Sequence, residues 1–328
     1  MRLIGLAVLL VLSLIGAALA VEAQRAEKVY RVGYLEGSSA SAIAPSFAAF
    51  RQGMHELGYV EGRDLMIEAR FADEKFDRFP SLAQELVRLN PDVLFVAPGA
   101  AVLAAKAATA TIPIVFVRVG DPVGMGLVLS LARPGGNITG ITTMAVELTG
   151  KRLELLKEMV PTASRIAVLV NPDASVAAMQ IQNAQAAART LGVQLHPVLA
   201  VRDAGDLERA FEAVVRSGAS AALRMVDFLA TALHVETAKL AVKYRLPVMY
   251  ASREDVDVGG LMAYGPSRPA QYLQAATFVH KILRGARPAD LPVEQSTKFE
   301  LVINTKTAKL LGLTIPQSIL VRADQLIQ

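Results

Sequence analysis

Short apolar segments alternate with amphipathic helical segments along most of this 328-residue chain, and this alternation most restricts its fold. Between the apolar segments, apolar residues recur every three or four positions, which predicts helices over 44–58 and 76–90 and another from Gly99. The apolar segments of this first series predict strands: "VYRVGYL" (29–35), "LMIEARF" (65–71), "VLFVA" (93–97) and "IVFVRV" (114–119). Such alternation predicts a parallel sheet covered by helices on both faces.

A second series with the same rhythm begins at the predicted helix "VELTGKRLELLKEMVP". Its further predicted elements are strand 165–170, helix 174–191, strand 193–199, helix 205–217, strand 221–226, helix 229–244 and strand 247–251. "TIPIVFVRVGDP" in the first series corresponds to "YRLPVMYASRED" in the second, and "GGNITGI" to "GGLMAYG". We therefore predict an α/β protein of two doubly wound parallel-sheet lobes, joined by a hinge of several chain crossings.

The chain is longer than one core usually requires, which agrees with two lobes. We expect residues 28–143 plus 268–292 to form the N-terminal lobe, and residues 146–264 plus 296–328 the C-terminal lobe. The chain is expected to cross between them near Ile141–Val146, Gly265–Arg268 and 291–297. A helix over 269–284 then packs back on the N-terminal lobe.

Ligands of open parallel sheets bind beyond the carboxyl ends of the strands, so two facing lobes enclose a cleft. Asp121 and Glu254 occupy equivalent strand-end loops in the two series, as do Gly99 and Asp227. Asp121 either faces a ligand in this cleft or caps a helix that begins near Val123. The repeat predicts a pair of ligand-binding walls.

Composition excludes several classes of function. Lysines and arginines are scattered among the acids with a net charge of +4, which argues against a nucleic-acid partner. The chain has no cysteine and only four isolated histidines, so we expect no metal, no cofactor and no thiol chemistry. No G-x-S-x-G motif or nucleophile–base arrangement is present, and we expect a protein that is not an enzyme.

The N-terminus carries Arg2 followed by the apolar run "LIGLAVLLVLSLIGAALAV". Small residues after it suit signal-peptidase cleavage behind Ala20 or Ala23, although the run is nearly long enough for a retained membrane anchor. We expect residues 1–23 to be a cleaved signal peptide and the mature protein to be periplasmic. With no cysteine after the run, the protein is not expected to be a lipoprotein.

Several long stretches resemble the solute-binding proteins of ABC transporters with the type I periplasmic-binding fold, in the subgroup whose characterised members take up tryptophan, tyrosine and related amino acids. The resemblance extends from Val29 to Gln328. It rests on "FRQGMHELGYVEGRDLMIEARFAD", "IPIVFVRVGDPVGMGLVLSLARPGGNITGIT", "KRLELLKEMVPTASRIAVLVNPD", "GGLMAYGPS" and "LPVEQSTKFELVINTKTAKLLGLTIP". It implies that the protein captures a small solute by hinge closure and delivers it to an ABC permease in the inner membrane.

The resemblance also implies which residues contact the solute. In the N-terminal lobe these are Ser38, Ser39, Gly99, Ala100, Gly120 and Asp121. In the C-terminal lobe they are Asn171, Asp227, Phe228, Ser252, Glu254 and Tyr264. Many relatives carry a hydroxyl residue in the loop after the third strand, whereas this chain has "PGAA" there.

Arg118 and Arg224 stand near the ends of equivalent strands, where apolar residues are usual. Each arginine either pairs with a nearby acid, Asp121 or Asp227, or meets a ligand carboxylate through a bidentate contact. Contact with a carboxylate favours an organic anion or aromatic acid over a neutral solute.

Three classes of function remain: a solute-binding protein for import, a periplasmic sensor or co-receptor of the same fold, and a secreted enzyme. The absence of a catalytic constellation disfavours the enzyme. Between the other two, the ligand site would look the same. We expect the protein to act as a monomer that binds an amino acid, an aromatic compound or an organic anion.

Overall fold

The computed structural model describes residues 28–143 and 146–328, without the side chain of Phe228. The predicted signal peptide, residues 1–23, lies outside the described residues, as do Met144 and Ala145 of the first predicted crossing. In the described part of the chain, none of the helices combines the length and the apolar composition needed to cross a bilayer.

The strands follow the predicted segments closely, and 65–71, 93–97, 114–119 and 165–170 agree residue for residue. The strands are β1 Tyr30–Glu36, β2 Leu65–Phe71, β3 Val93–Ala97, β4 Ile114–Val119, β5 Ile138–Thr142, β6 Arg165–Val170, β7 Gln194–Ala200, β8 Ala221–Arg224, β9 Val248–Tyr250, β10 Met262–Pro266, β11 Glu294–Gln295, β12 Phe299–Asn304 and β13 Gln325–Ile327.

The helices fill the intervals between these strands. They are α1 Ala40–Glu56, α2 Phe79–Arg88, α3 Gly99–Ala108, α4 Thr149–Met159, α5 Ala177–Leu191, α6 Ala204–Ser217, α7 Phe228–Ala232, α8 His234–Lys243, α9 Arg253–Asp257, α10 Arg268–Leu283, α11 Thr305–Leu310 and α12 Gln317–Arg322. Single 3₁₀ turns occupy Phe76–Arg78 and Pro288–Asp290.

One predicted helix is divided in two. The segment 229–244 forms two helices, α7 and α8, which meet at Leu233. The imidazole Nδ1 of His234 lies 2.7 Å from the carbonyl oxygen of Thr231. In a continuous helix that carbonyl would accept the backbone N–H of Val235, so the side chain competes with the helix at this position.

Two sheets organise the described residues. The first has the strand order β11-β5-β4-β3-β1-β2 and the second β13-β12-β10-β9-β8-β6-β7. Neighbouring strands are parallel throughout the first sheet, and β10 and β12 form the antiparallel pair of the second. The predicted α/β class, with two sheets of mainly parallel strands, is confirmed.

The chain passes between the sheets more than once, because β10 and β12 belong to the second sheet while β11 belongs to the first. Helix α10, which lies between β10 and β11, buries Tyr272, Phe278 and Val279 in one apolar cluster with Val32 and Phe95 of the first sheet. We call the first sheet with its helices the first lobe, and the second sheet with its helices the second lobe.

Candidate functional site

A cavity of about 240 Å³ lies between the two lobes, at the carboxyl ends of strands from both sheets. The first lobe lines it with Ser38, Ala42 and Glu74. The second lobe lines it with 224–227, Ala230, Thr231, His234, Ala251, Ser252, Glu254, Asp255, Asp257 and Val258. Arg268 lines it from the start of α10, the helix that packs on the first sheet. The position agrees with the general rule for ligand sites in parallel sheets.

Some of the predicted site residues line this cavity and others do not. Those that line it are Ser38, Arg224, Asp227, Ser252 and Glu254. Those outside its lining are Ser39, Gly99, Ala100, Arg118, Gly120, Asp121, Asn171 and Tyr264. The prediction for the Phe228 side chain lies outside the described part of the structure.

Sequence reasoning missed Glu74, His234, Asp255 and Arg268. The loop after β2 contains Glu74, so the strand-end rule that selected Ser38 after β1 could have selected it too. Arg268 follows β10 by two residues and is within reach of the same rule. The signal for His234 and Asp255 is weaker, since both lie on helices beyond the strand-end loops.

Arg118 pairs with Glu36, and the predicted pairing with Asp121 or Asp227 is wrong for this arginine. Its Nη1 donates to Glu36 Oε1 across 2.9 Å, and the Arg118 side chain is 11% exposed. The Arg118 backbone is left-handed, with φ +60°, where the register between β4 and β5 shifts. This local turn directs the guanidinium towards the end of β1, and a sequence pattern does not encode it.

Glu36 is fully buried and accepts hydrogen bonds on both carboxylate oxygens. Oε1 accepts the backbone N–H of Gly37 at 2.8 Å and of Ser38 at 3.1 Å, besides Arg118. Oε2 accepts the hydroxyls of Tyr34, at 2.8 Å, and of Tyr272. Tyr272 belongs to α10, so this buried carboxylate ties the returning helix to β1.

Asp121 closes a turn. Its Oδ1 accepts the backbone N–H of Gly124 at 2.7 Å, and residues 122–126 form turns in place of the helix predicted from Val123. This is the local bond that Asp commonly makes to its own loop. The bond occupies one carboxylate oxygen, and the side chain is outside the cavity lining.

Arg224 ends β8 and is only 6% exposed. The predicted ion pair with Asp227 is not formed; instead Nη1 donates to the hydroxyl of Thr237. Nε has no hydrogen-bond partner in the described structure, and no carboxylate there lies within 4.0 Å of the guanidinium nitrogens. Burial lowers the pKa of Arg224, although the charges of Asp255 and Asp227 oppose that shift. Burial of a cation without a nearby counter-charge costs free energy. An anion bound beside Arg224 would therefore stabilise this group.

Glu254 and Arg268 form an ion pair within the cavity wall, with Arg268 Nε 2.9 Å from Glu254 Oε1. Burial acts to raise the pKa of Glu254, but Arg268 and Arg118 outweigh it and lower that pKa. The charge of Arg118, in the first lobe, therefore acts on a carboxylate of the second. Because Arg268 begins α10, the pair lies where the chain returns to the first lobe.

Asp255 lies behind Glu254 and is 8% exposed. Its Oδ2 accepts the backbone N–H of Ser252 at 3.2 Å, as part of the capping box of α9. Burial raises its pKa to about 6, against the opposing charge of Arg224. Asp227 caps α7 in a similar way, with Oδ1 2.7 Å from the backbone nitrogen of Ala230, and burial raises its pKa as well.

The other predicted residues have local partners. Ser39 caps α1 through a bond from the backbone N–H of Ala42, 3.4 Å long. Asn171 is buried and accepts the backbone N–H of Asp173 at 3.1 Å. The Tyr264 ring lies beside that of Phe299, with centroids 6.2 Å apart. Within residues 28–143 and 146–328, no group of three His, Asp or Glu side chains is arranged to hold a metal ion.

Comparison with known proteins identifies the family. Residues 34–327 match the family model of the ABC transporter substrate binding proteins. The chain belongs to this family. Its members are binding proteins, which confirms the expectation that the chain is not an enzyme. They bind the substrates of ABC transporters.

Individual relatives agree with this assignment. A tyrosine-binding protein of Clostridioides difficile is 24% identical over 265 residues, which are 80% of this chain and 75% of the relative. The crystal structure of a conserved domain protein from Vibrio cholerae has a TM-score of 0.80 at 28% identity, and covers 91% of this chain and 100% of its own. A domain from Streptococcus pneumonia in complex with L-Trp has a TM-score of 0.79 at 24% identity, covering 91% and 99%.

The cavity of this substrate-binding protein suits a small polar solute. Pockets for drug-sized ligands measure about 300–1,000 Å³, and a cavity of about 240 Å³ agrees with a small solute. Its lining combines apolar side chains, such as Met225 and Val258, with the buried cation Arg224 and several carboxylates. This arrangement can bind a ligand that carries a carboxylate, an amine and a compact apolar part.

Proposed function

We propose that this protein is the exported solute-binding component of an ABC importer and that it captures an amino acid between its lobes by hinge closure. Residues 1–23 are then a cleaved signal peptide, and the mature, non-lipidated protein delivers its ligand from the periplasm to an inner-membrane permease as a monomer. The lobes comprise residues 28–143 plus 268–292 and residues 146–264 plus 296–328, as the sequence predicts.

One observation indicates that the ligand has a carboxylate group. Arg224 brings a largely buried guanidinium to the cavity wall, and no carboxylate of the described residues lies within 4.0 Å of its nitrogens. A ligand carboxylate in the cavity supplies the missing counter-charge. In a dry wall such a contact is worth far more than one at the surface.

The rest of the lining favours an amine on the same ligand. Carboxylates outnumber arginines among the lining residues: Glu74, Asp227, Glu254, Asp255 and Asp257 against Arg224 and Arg268. This excess of negative charge repels an organic anion without an amine, whereas it attracts the ammonium group of a zwitterion. Arg118 does not add a third cation to the lining, because it lies outside the lining and pairs with Glu36. The tyrosine-binding relative and the neighbour in complex with L-Trp support an amino acid as the ligand.

Contacts at the chain crossing support hinge closure. The Glu254–Arg268 pair joins α9 of the second lobe to the first residue of α10, and Arg118 acts electrostatically on the same Glu254. Approach of the lobes strengthens the attraction between Arg118 and Glu254 as water leaves the cleft. The remaining predicted contacts, from Ser38, Ser39, Gly99, Ala100 and Gly120, belong to the first-lobe loops that closure brings towards the ligand.

The test is calorimetric titration of the mature chain with L-tyrosine, L-tryptophan, L-phenylalanine, L-leucine and, as a contrasting class, D-glucose. We expect one or more of the amino acids to bind and glucose not to. A ligand at a hundred times its dissociation constant adds about 2.7 kcal/mol to the free energy of unfolding, so a thermal shift provides a second readout. Failure of every amino acid to bind a folded, ligand-free sample overturns the proposal.

Two variants assign the carboxylate contact. Arg224→Gln is expected to weaken amino-acid binding about 100-fold, since a buried charge contact is worth about 2–5 kcal/mol. Arg224→Lys keeps the charge without Nε, and we expect a smaller loss. The matched control is Arg216→Gln, which removes an exposed arginine of α6 that pairs with Glu212, 3.5 Å away. Melting curves show that each variant folds.

A further inference from the structure

Most of the charged groups in the cavity wall already have a partner within the protein. Four of the five lining carboxylates have a partner: Glu254 has Arg268 at 2.9 Å, Asp257 has Arg253 at 3.3 Å, Asp227 has the Ala230 N–H at 2.7 Å and Asp255 has the Ser252 N–H at 3.2 Å. All four belong to the second lobe. These four carboxylates are therefore already bonded before a ligand arrives.

Glu74 is different. It is the acidic residue that the first lobe contributes to the lining; it is exposed, and its carboxylate has no hydrogen bond or ion pair with any residue the structure describes. Its backbone is fixed, since its N–H donates to the Gly37 carbonyl across 2.8 Å and its φ is +63°. Such left-handed residues are uncommon outside glycine and are retained where the surroundings enforce them.

The preceding residue provides a useful contrast. Asp73 has φ +52° in the same loop, but its Oδ2 lies 3.1 Å from Nη1 of Arg78, and it is outside the cavity lining. The two adjacent carboxylates of this loop therefore differ in their contacts. Asp73 stabilises the loop, and Glu74 faces the cleft unpaired.

The opposite wall carries the matching unpaired charge. Arg224, in the second lobe, is the lining cation that lacks an ion pair in the described structure, because Arg268 is neutralised by Glu254. The cleft thus holds one unpaired anion on the first lobe and one unpaired cation on the second. A zwitterion carries the two complementary charges.

We propose that Glu74 is the specificity-determining residue for the ligand's ammonium group, while Arg224 binds its carboxylate, so that the two charges of one ligand bridge the two lobes. This inference rests on the proposed function. Asp227 and Asp255 are poorer partners for the ammonium, because both already cap helices and because binding to them leaves the ligand on one lobe only. A ligand without the amine occupies the second-lobe half-site and does not draw the first lobe towards it.

The experiment compares L-tyrosine with 3-(4-hydroxyphenyl)propionate, which is the same molecule without the amine. Each is titrated into the mature wild-type chain, into Glu74→Gln and into the matched control Asp73→Asn. Wild type should bind L-tyrosine at least tenfold more tightly, since a hydrogen bond to a charged group is worth about 1.5–3 kcal/mol. Glu74→Gln should remove most of that preference by weakening L-tyrosine alone, and Asp73→Asn should preserve it.

Small-angle X-ray scattering on the same samples measures whether the lobes close. We expect L-tyrosine to reduce the radius of gyration of wild type, and the analogue without the amine to leave it unchanged. Equal weakening of both compounds by Glu74→Gln overturns the inference, as does an unaltered preference, which assigns the ammonium to the second lobe. If wild type binds neither compound and none of the other amino acids, the proposed function fails and this inference fails with it.

Discussion

Arg118 Nη1 donates to Glu36 Oε1 across 2.9 Å, and the carboxylate that it reaches is fully buried beneath the floor of the cleft. The pair joins the ends of β4 and β1, and the hydroxyls of Tyr34 and Tyr272 complete the shell around Glu36. A buried pair of this kind is weak support for stability as a whole, but removal of one partner leaves an uncompensated charge.

Arg118→Met should therefore destabilise the protein by about 3–5 kcal/mol, measured by urea unfolding at pH 7. The control is Arg216→Met, which breaks an exposed pair with Glu212 and should cost less than about 1 kcal/mol. Equal stability of the two variants would contradict a structural role for Arg118.

Two buried tyrosines offer a matched comparison. Tyr272 donates its hydroxyl to Glu36, whereas the hydroxyl of Tyr250 is buried with no hydrogen-bond partner in the described structure. Tyr272→Phe should cost about 1.5–3 kcal/mol, the usual worth of a hydrogen bond to a charged group. Tyr250→Phe should be neutral or slightly stabilising, because it removes a buried polar group that has nothing to bond. Urea unfolding of both variants gives the difference, and a larger loss for Tyr250→Phe would refute the assignment.

Asp255 makes stability depend on pH. Burial raises its folded-state pKa to about 6, above the unfolded value near 3.8, so the folded protein binds this proton more tightly than the unfolded chain. The stabilisation of the folded state by this bound proton is fully present below the unfolded pKa of Asp255. It is lost as pH rises through the folded pKa.

Asp255→Asn removes that titration while keeping an oxygen for the Ser252 N–H. Between pH 4 and pH 7, we expect the stability of the variant relative to wild type to rise by about 2 kcal/mol, which is most of the full value of a shift of roughly two pKa units. Urea unfolding at the two pH values measures this difference, in which other titrating groups cancel. A difference that stays constant or falls over this range would show that Asp255 does not titrate this way.

Gly265 permits a close approach at the crossing between the lobes. A Cβ built there would lie 1.9 Å from the carbonyl oxygen of Ala251, a residue that lines the cavity. Gly265→Ala should cost about 1–3 kcal/mol, as overpacking does, and should also weaken amino-acid binding because β9 has to move. Gly136→Ala is the control, since a Cβ at that position meets nothing within 4 Å. Thermal unfolding and titration of both variants test this, and no difference between them would count against it.

Much of the fold followed from local patterns. Strand 65–71 and strand 114–119 were predicted to the residue, because β-branched and aromatic residues bounded by turn residues leave little choice of period or length. The prediction of one helix over 229–244 is wrong, because the segment forms two helices. The His234 imidazole contacts the Thr231 carbonyl where they meet. Periodicity does not reveal such a contact.

Charged side chains have partners that sequence spacing does not predict. For Arg118 the sequence leaves open a pair with a nearby acid, Asp121 or Asp227, or contact with a ligand carboxylate, and the structure pairs it with Glu36, 82 positions away. Asp121 was assigned to the cleft or to a helix cap, and it closes a turn at Gly124. The sequence shows which charged residues are present and which are neighbours in the chain. The direction of the Arg118 guanidinium depends on the left-handed backbone at that residue.

The architecture follows from the order of the elements alone: strands and helices that alternate in two series predict two mainly parallel sheets, with the strand ends at a common cleft. The side chains that line the cleft follow from the packing of the folded chain. Glu74 and Arg224 are 150 positions apart and on different lobes, and their relation arises only when both sheets are folded and the chain has crossed between them. Backbone patterning is local and periodic, but a binding site is made of side chains that long-range packing brings together.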